Sequence, residues 1–196
     1  MLGSDDPNGF CGDLEVLEMN ELRNSLLEQN IINIDSWIDL TVEPYVHSAT
    51  LRLQVKKCPD VQVLISSDGG SEMMGLHIYD LLRLYPGKEV GKVLTYARSI
   101  AAIILQACDQ RICARHARIR IHNVRARGEV LSFDRMRSSK EVAKLLAELE
   151  KGQVLVDDIL MKRTGQSLKE IRRVCKRDRD MTAQEAKDFG LIDEII

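Results

Sequence analysis

An α/β fold built around a largely parallel sheet is predicted by three features of the chain. Short β-branched runs alternate with helical segments through its first two thirds. Two strand-to-helix transitions carry turn or cap chemistry, at Ser67-Asp68-Gly69-Gly70-Ser71 and at Ala97-Arg98-Ser99. The last third opens instead on one long, charged helical stretch. With 196 residues the chain suits a single domain with a sizeable core.

The elements follow in order. Met1 to Gly12, with glycines, a proline and paired aspartates, reads as a mobile tail, so the expected tail is residues 1–13 and the domain residues 14–196. Leu14 to Leu27 has helical spacing, and Ile31 to Ile38 reads as a strand. Thr41, with Glu43 and Pro44 behind it, starts a helix that runs to about Lys57. Val61 to Ile65 is a short strand entering the Gly-Gly corner, and Ser71 to Tyr85 is a helix stopped by Pro86-Gly87. Val90 to Thr95 is a strand, Ile100 to Cys108 an apolar helix, and Arg111 to Ala114 and Ala117 to Ile121 are short strands. These repeated βαβ units form a head over residues 14–131.

From about Phe133 to Arg163 apolar residues recur at Val142, Leu145, Leu146 and Leu149, then at Val154, Leu155, Ile159 and Leu160, with Gly152 as a possible kink. A helix of this length cannot be covered by so small a domain. This handle, residues 132–165, is expected to protrude and pack on another copy of the chain. Thr164-Gly165-Gln166 ends it. Ser167-Leu168-Lys169-Glu170 and Thr182-Ala183-Gln184-Glu185 read as capping boxes, and Leu191 to Ile196 as a last strand, which completes a C-terminal segment over residues 166–196.

Composition narrows the function. The net charge is −2, with 30% charged residues of both signs well mixed. The arginine-rich stretch from Arg111 to Arg127 lacks the interleaved aromatics that single-strand binding uses, so it reads as a surface and no nucleic-acid partner is expected. Five cysteines without C-x-x-C spacing suggest neither a disulfide framework nor a zinc site, so no metal or cofactor is expected. No apolar run reaches membrane-spanning length and no basic-then-apolar leader is present. The expected setting is the cytoplasm, or an organelle stroma after removal of a transit peptide.

Ser99 at a helix start, His122 at a strand end and the Gly69-Gly70 corner could assemble an acyl-transfer site, with hydroxyl nucleophile, imidazole base and backbone N–H groups around the oxyanion. Read alone, Ser99 is far more often a helix N-cap and His122 more often a satisfied sheet-edge histidine. His47, His77 and His116 show no partner pattern.

Several segments together resemble the proteolytic subunit of the Clp protease, the ClpP family of serine peptidases with a crotonase-like fold. Ile65-Ser66-Ser67-Asp68-Gly69-Gly70-Ser71 is similar to its Asn-Ser-Pro-Gly-Gly corner, and Gly75-Leu76-His77-Ile78-Tyr79-Asp80 to the following helix. Ala97-Arg98-Ser99-Ile100-Ala101-Ala102 stands in the place of its nucleophile segment, and Arg118-Ile119-Arg120-Ile121-His122 in that of its histidine run. Arg163-Thr164-Gly165-Gln166-Ser167-Leu168 and Glu185-Ala186-Lys187-Asp188-Phe189-Gly190-Leu191-Ile192-Asp193 are similar to its C-terminal landmarks. The resemblance runs from about Leu26 to Ile196.

That resemblance implies Ser99 and His122 as the catalytic pair and the N–H groups of Gly70 and Ile100 as the oxyanion hole. It implies heptameric rings stacked into a tetradecamer around a chamber, unfolded polypeptide as substrate, and an AAA+ unfoldase that supplies ATP-driven threading. The chain itself has no P-loop motif. Four departures stand out. The family's aspartate falls on Val174, with Asp178 one turn further along as a possible substitute acid. Arg98 and Ala101 flank the nucleophile segment where smaller residues are usual. Asp68 replaces the corner proline, and Asn123-Val124 replaces Gln-Pro. Gln62 stands where many members carry a docking tyrosine. Loss of a triad acid costs about 10⁴-fold in turnover. Two functions are therefore expected: a Clp-type serine endopeptidase impaired by the missing acid, or an inactive ClpR-type subunit filling a place in a mixed ring.

Overall fold

A computed structural model describes residues 9–126 and 137–196; the stretch from 127 to 136, which includes the expected start of the handle at Phe133, lies outside them. Within them the chain forms α1 (Gly9–Glu28), β1 (Ile31–Ile34), α2 (Val42–Val55), β2 (Val61–Ser67), α3 (Glu72–Arg83), β3 (Glu89–Arg98) and α4 (Ile100–Leu105). Then come β4 (Gln110–Cys113), β5 (Arg118–Arg120), α5 (Ser139–Thr164), α6 (Leu168–Arg177), β6 (Met181–Thr182), α7 (Ala183–Phe189) and β7 (Glu194–Ile195). Helix α1 begins at Gly9, earlier than the Leu14 its apolar spacing suggests, and takes in residues assigned above to a tail.

The sheet is parallel apart from one pairing. Its order is β1-β2-β3-β4-β7, with β5 alongside β3 and β6 antiparallel to β5. Strand β3 is long enough to serve two neighbours: Val90–Val93 pair with Gln110–Cys113, and Tyr96–Arg98 pair with Arg118–Arg120. The register of β2 on β3 slips between Ile65 and Ser67, so both strands leave the regular sheet beside the Gly-Gly corner and Ser99. Burial alternates along the strands: Ile32, Ile34, Val63, Ile65 and Ile119 are fully buried, while the residues between them, such as Gln62 and Leu64, are exposed or half-buried.

Helix α3 packs on α4 through one close approach. A Cβ on Gly75 would lie 2.1 Å from Ile100 Cγ1, so the missing side chain lets α3 sit against α4. Local capping chemistry is realised unevenly. Thr182 and Glu185 form the complete capping box. Ser167 caps α6 through the Glu170 N–H, but the Glu170 carboxylate turns to Arg173 instead of reaching back. Thr41 is the N-cap of α2, yet the cap oxygen comes from Asp39, which accepts from both the Thr41 N–H and its hydroxyl.

Helix α5 divides into two halves. Residues 139–151 bury no side chain, whereas Gly152, Gln153, Val156, Asp157 and Leu160 are buried. The unburied half is about 20 Å long at 1.5 Å per residue. Gly152 produces no break; the helix runs through it, and the glycine serves a contact described below.

Candidate active site

The site forms where β2, β3 and β5 end. Ser99 follows β3 directly and holds φ 56° and ψ −129°, a conformation L-residues other than glycine rarely adopt. It makes no side-chain cap to α4, which sets aside the N-cap reading. The turn is held from two sides. The Ser99 N–H donates to the Arg120 carbonyl at 2.8 Å, fixing Ser99 to the strand that leads to His122. Gly69, at φ 98°, lies so close that a Cβ there would be 2.6 Å from Ser99 Cβ.

The corner is zipped onto the segment after β1. The Ile38 N–H donates to Gly69 O at 2.9 Å, and the Ser71 N–H to Ile38 O at 2.7 Å. In such a parallel bridge the middle residue's own N–H faces the other way, so the Gly70 N–H is turned from Ile38. A side chain at Gly70 would strike Ile38 O at 2.1 Å. The Ile100 N–H opens the first turn of α4, where no intrahelical acceptor exists. Gly70, Ile100, Ser99 and His122 all line one cavity of about 300 Å³.

His122 is half-buried, and its Nδ1 lies 2.7 Å from the Asn123 carbonyl oxygen. A carbonyl only accepts, so this contact puts the proton on Nδ1 and leaves Nε2 as the free base. Burial lowers the His122 pKa below the usual value, with the Asn123 carbonyl and Asp178 working against it and the charges of Arg125 and Arg120 adding to it. Among the described residues no hydrogen bond joins the Ser99 hydroxyl to His122.

Val174 and Asp178 are placed quite differently. Val174 lines a separate small pocket with Met181 and Phe189, and is not among the residues around the Ser99–His122 cavity. Asp178 is not on the helical face either. It follows α6 in the left-handed region, φ 47°, so the expected i, i+4 relation to Val174 does not apply. This turn brings its carboxylate within electrostatic reach of His122 and into an ion pair with Arg125. Burial works against its ionisation, but the bond and charge of Arg125 hold the carboxyl below its ordinary value. Asp178 Oδ1 is buried without a hydrogen-bond partner among the described residues.

Arg98 is not among the residues that line the cavity. Its guanidinium turns to Asp180, donating from Nε at 2.9 Å and Nη2 at 2.6 Å, and from Nη1 to Asp68 at 2.7 Å, and it stacks over Tyr96. Ala101 is fully buried in the core. The substituted Asp68 therefore has a use, since it ties the corner to the residue before the nucleophile.

Sequence reasoning missed further parts of the site. Gln153 on α5 accepts from the Val124 N–H at 2.8 Å and donates to Asp157, which is ion-paired with Arg172. A buried polar chain thus links the segment after His122 to the handle and to α6. Glu72 and Arg125 line the cavity. None of these has a local signal, because each acts through partners distant in sequence. Gln62 is exposed on β2 and accepts from Lys92 at 2.9 Å. Among the described residues no helix is long and apolar enough to cross a membrane.

A strained serine on a strand-to-helix turn, a histidine beyond β5 and a Gly-Gly corner thus share one cavity of an α/β domain. The family model for Clp protease matches residues 15–196, and the chain belongs to that family.

Proposed function

We propose that the chain is a Clp-type serine endopeptidase subunit that cleaves unfolded polypeptide inside a ring-shaped chamber. The Ser99 turn carries this reading: backbone strain there is held by bonds to the His122 strand and contacts with the Gly69-Gly70 corner, and a mere helix cap needs none of it. In the reaction His122 Nε2 removes the Ser99 proton as Oγ attacks the substrate carbonyl carbon. The Gly70 and Ile100 N–H groups receive the oxyanion, and the imidazolium returns its proton to the leaving amine. Water, activated by the same imidazole, then releases the acyl group. Asp178 is the acid. Its unpartnered Oδ1 can accept the His122 Nδ1–H in place of the Asn123 carbonyl, so both groups gain a charge-assisted bond when the imidazolium forms.

The same reading assigns heptameric rings, stacked through α5 and its exposed Leu146, Val154 and Leu155, and an AAA+ unfoldase that threads substrate. The current Nδ1 contact and the absence of a Ser99–His122 bond among the described residues favour a second reading, a ring-filling subunit without turnover. A serine-reactive fluorophosphonate probe separates the two. Stoichiometric labelling of the assembled wild type, absent in Ser99→Ala, supports the peptidase; no labelling supports the filler.

A further inference from the structure

We propose that Glu72 makes the cavity beside Ser99 a receptor for a basic side chain, lysine or arginine, of the bound polypeptide. This rests on the reading of that cavity as a peptidase site. Glu72 is the first residue of α3, directly after the Gly69-Gly70-Ser71 corner, and its side chain crosses to the handle helix. A Cβ on Gly152 would lie 1.8 Å from Glu72 Oε1, so the glycine in α5 is what leaves room for this carboxylate. One turn further along α5, Val156 lines the same cavity as Ser99 and His122.

The other walls are apolar: Ile100, Ile103, Ile121 and Val124. Against them Glu72 has no hydrogen bond or ion pair among the described residues. The cation that shares the cavity, Arg125, is engaged with Asp178. Burial accordingly raises the Glu72 pKa, the mark of a carboxylate without compensation. At about 300 Å³ the space suits a single extended side chain. Lysine and arginine match both parts, methylenes against the isoleucines and valines, and the cationic head on the carboxylate. A leucine side chain would fill the apolar walls but offer the half-buried carboxylate no partner, so only the cationic side chains use both parts of the cavity.

The test uses assembled wild-type protein and matched, end-capped peptides that differ only in having lysine or leucine before the scissile amide. Binding is measured by calorimetry and hydrolysis by a fluorogenic leaving group. The expected result is at least about tenfold tighter binding of the lysine peptide. The isosteric Glu72→Gln, whose amide still fits over Gly152, should cut that preference about tenfold while leucine binding changes little. Circular dichroism and oligomer mass confirm that the variant folds and assembles. Equal, undetectable or reversed preference in the wild type, or a lysine preference that survives Glu72→Gln, overturns the proposal. Lysine-selective binding without hydrolysis keeps it and removes the peptidase reading. Hydrolysis of the leucine peptide alone does the opposite.

Discussion

Arg98, immediately before the nucleophile, and Asp180, at the entry to β6, meet in a two-pronged ion pair across 82 residues of sequence. Asp180 also draws Arg120 to 3.7 Å, so β3, β5 and the segment after α6 are drawn together by one carboxylate. Through Asp68 the same guanidinium reaches the corner that carries Gly70. The network ties together the segments that carry Ser99, His122 and Gly70.

Arg98→Met should therefore lower turnover more than it lowers stability. Both partners are partly exposed, which limits the stability loss to about 1–2 kcal/mol. Misplacing the nucleophile can cost about 10²-fold in kcat. Arg98→Lys keeps the charge but not the fork and should recover only part of the rate. The network loses its positioning role if kcat is unchanged in Arg98→Met, or if Arg98→Met and Asp180→Asn are additive in a double-mutant cycle.

The acid of the site can be located by comparing two substitutions. Val174→Asp places a carboxylate in the pocket with Met181 and Phe189 and should leave hydrolysis unchanged. Asp178→Ala should reduce it by about 10⁴-fold. A gain from Val174→Asp would show that the triad position is Val174 after all. Because burial lowers the His122 pKa, the base form persists into mildly acidic solution. The acidic limb of the kcat/KM profile should fall below the ordinary histidine value of about 6.5. Asp178→Asn removes a charge that raises the His122 pKa and should shift that limb further down.

Where the sequence was a good guide, the chemistry is local. The Thr182–Glu185 capping box needs only residues three apart, and it forms as its spacing suggests. Ser167–Glu170 has the same spacing, but Arg173 competes for the carboxylate, and spacing alone does not weigh that competitor. Asp178 was misplaced for a conformational reason. Assigning it to the face of Val174 assumes a helix that continues, and the chain turns left-handed at that residue. Arg98, Gln153 and Glu72 gave no local sign at all, because their partners are brought in by the sheet order and by the handle. The strand-to-helix turn at Ser99 and the strand leading to His122 were legible in the apolar patterns around them, whereas their pairing was suggested only by the family resemblance.

Ring stacking gives a separate test. No residue of 139–151 is fully buried within the chain, and Leu146 is 55% exposed. Leu146→Asp removes an apolar contact and adds a charge where a facing copy should pack. Light scattering should then show particles of about half the wild-type mass, each a single ring. An unchanged mass would mean that the handle does not join rings.

Docking of an unfoldase can be probed on the exposed end of β2. Gln62 offers the partner an amide already occupied by Lys92, where an aromatic anchor would add apolar area. Gln62→Tyr should increase capture by a cognate Clp ATPase in a pull-down, by about tenfold or less for one added anchor. No change would place the docking surface elsewhere.

Glu89 supplies a prediction about stability and pH that is independent of catalysis. Its side chain is 2% exposed at the start of β3, and Oε1 has no hydrogen-bond partner among the described residues. Burial, reinforced by the charge of Asp109 and opposed by Arg83, pushes its pKa up to about 8. The folded value lies above the unfolded one, so folding binds the proton more tightly. The corresponding stability is fully present below about 4.5 and is lost as pH rises through about 8. Glu89→Gln keeps the shape and removes the titration. The variant should match the wild type near pH 4 and exceed it progressively at higher pH. By pH 9 the difference should be on the order of 3 kcal/mol, read from denaturant melts at each pH. Groups that titrate in both proteins cancel in that difference. A difference that stays constant from pH 4 to pH 9 would mean that Glu89 is ionised in the fold throughout, with the buried carboxylate compensated by solvent or by a neighbouring subunit.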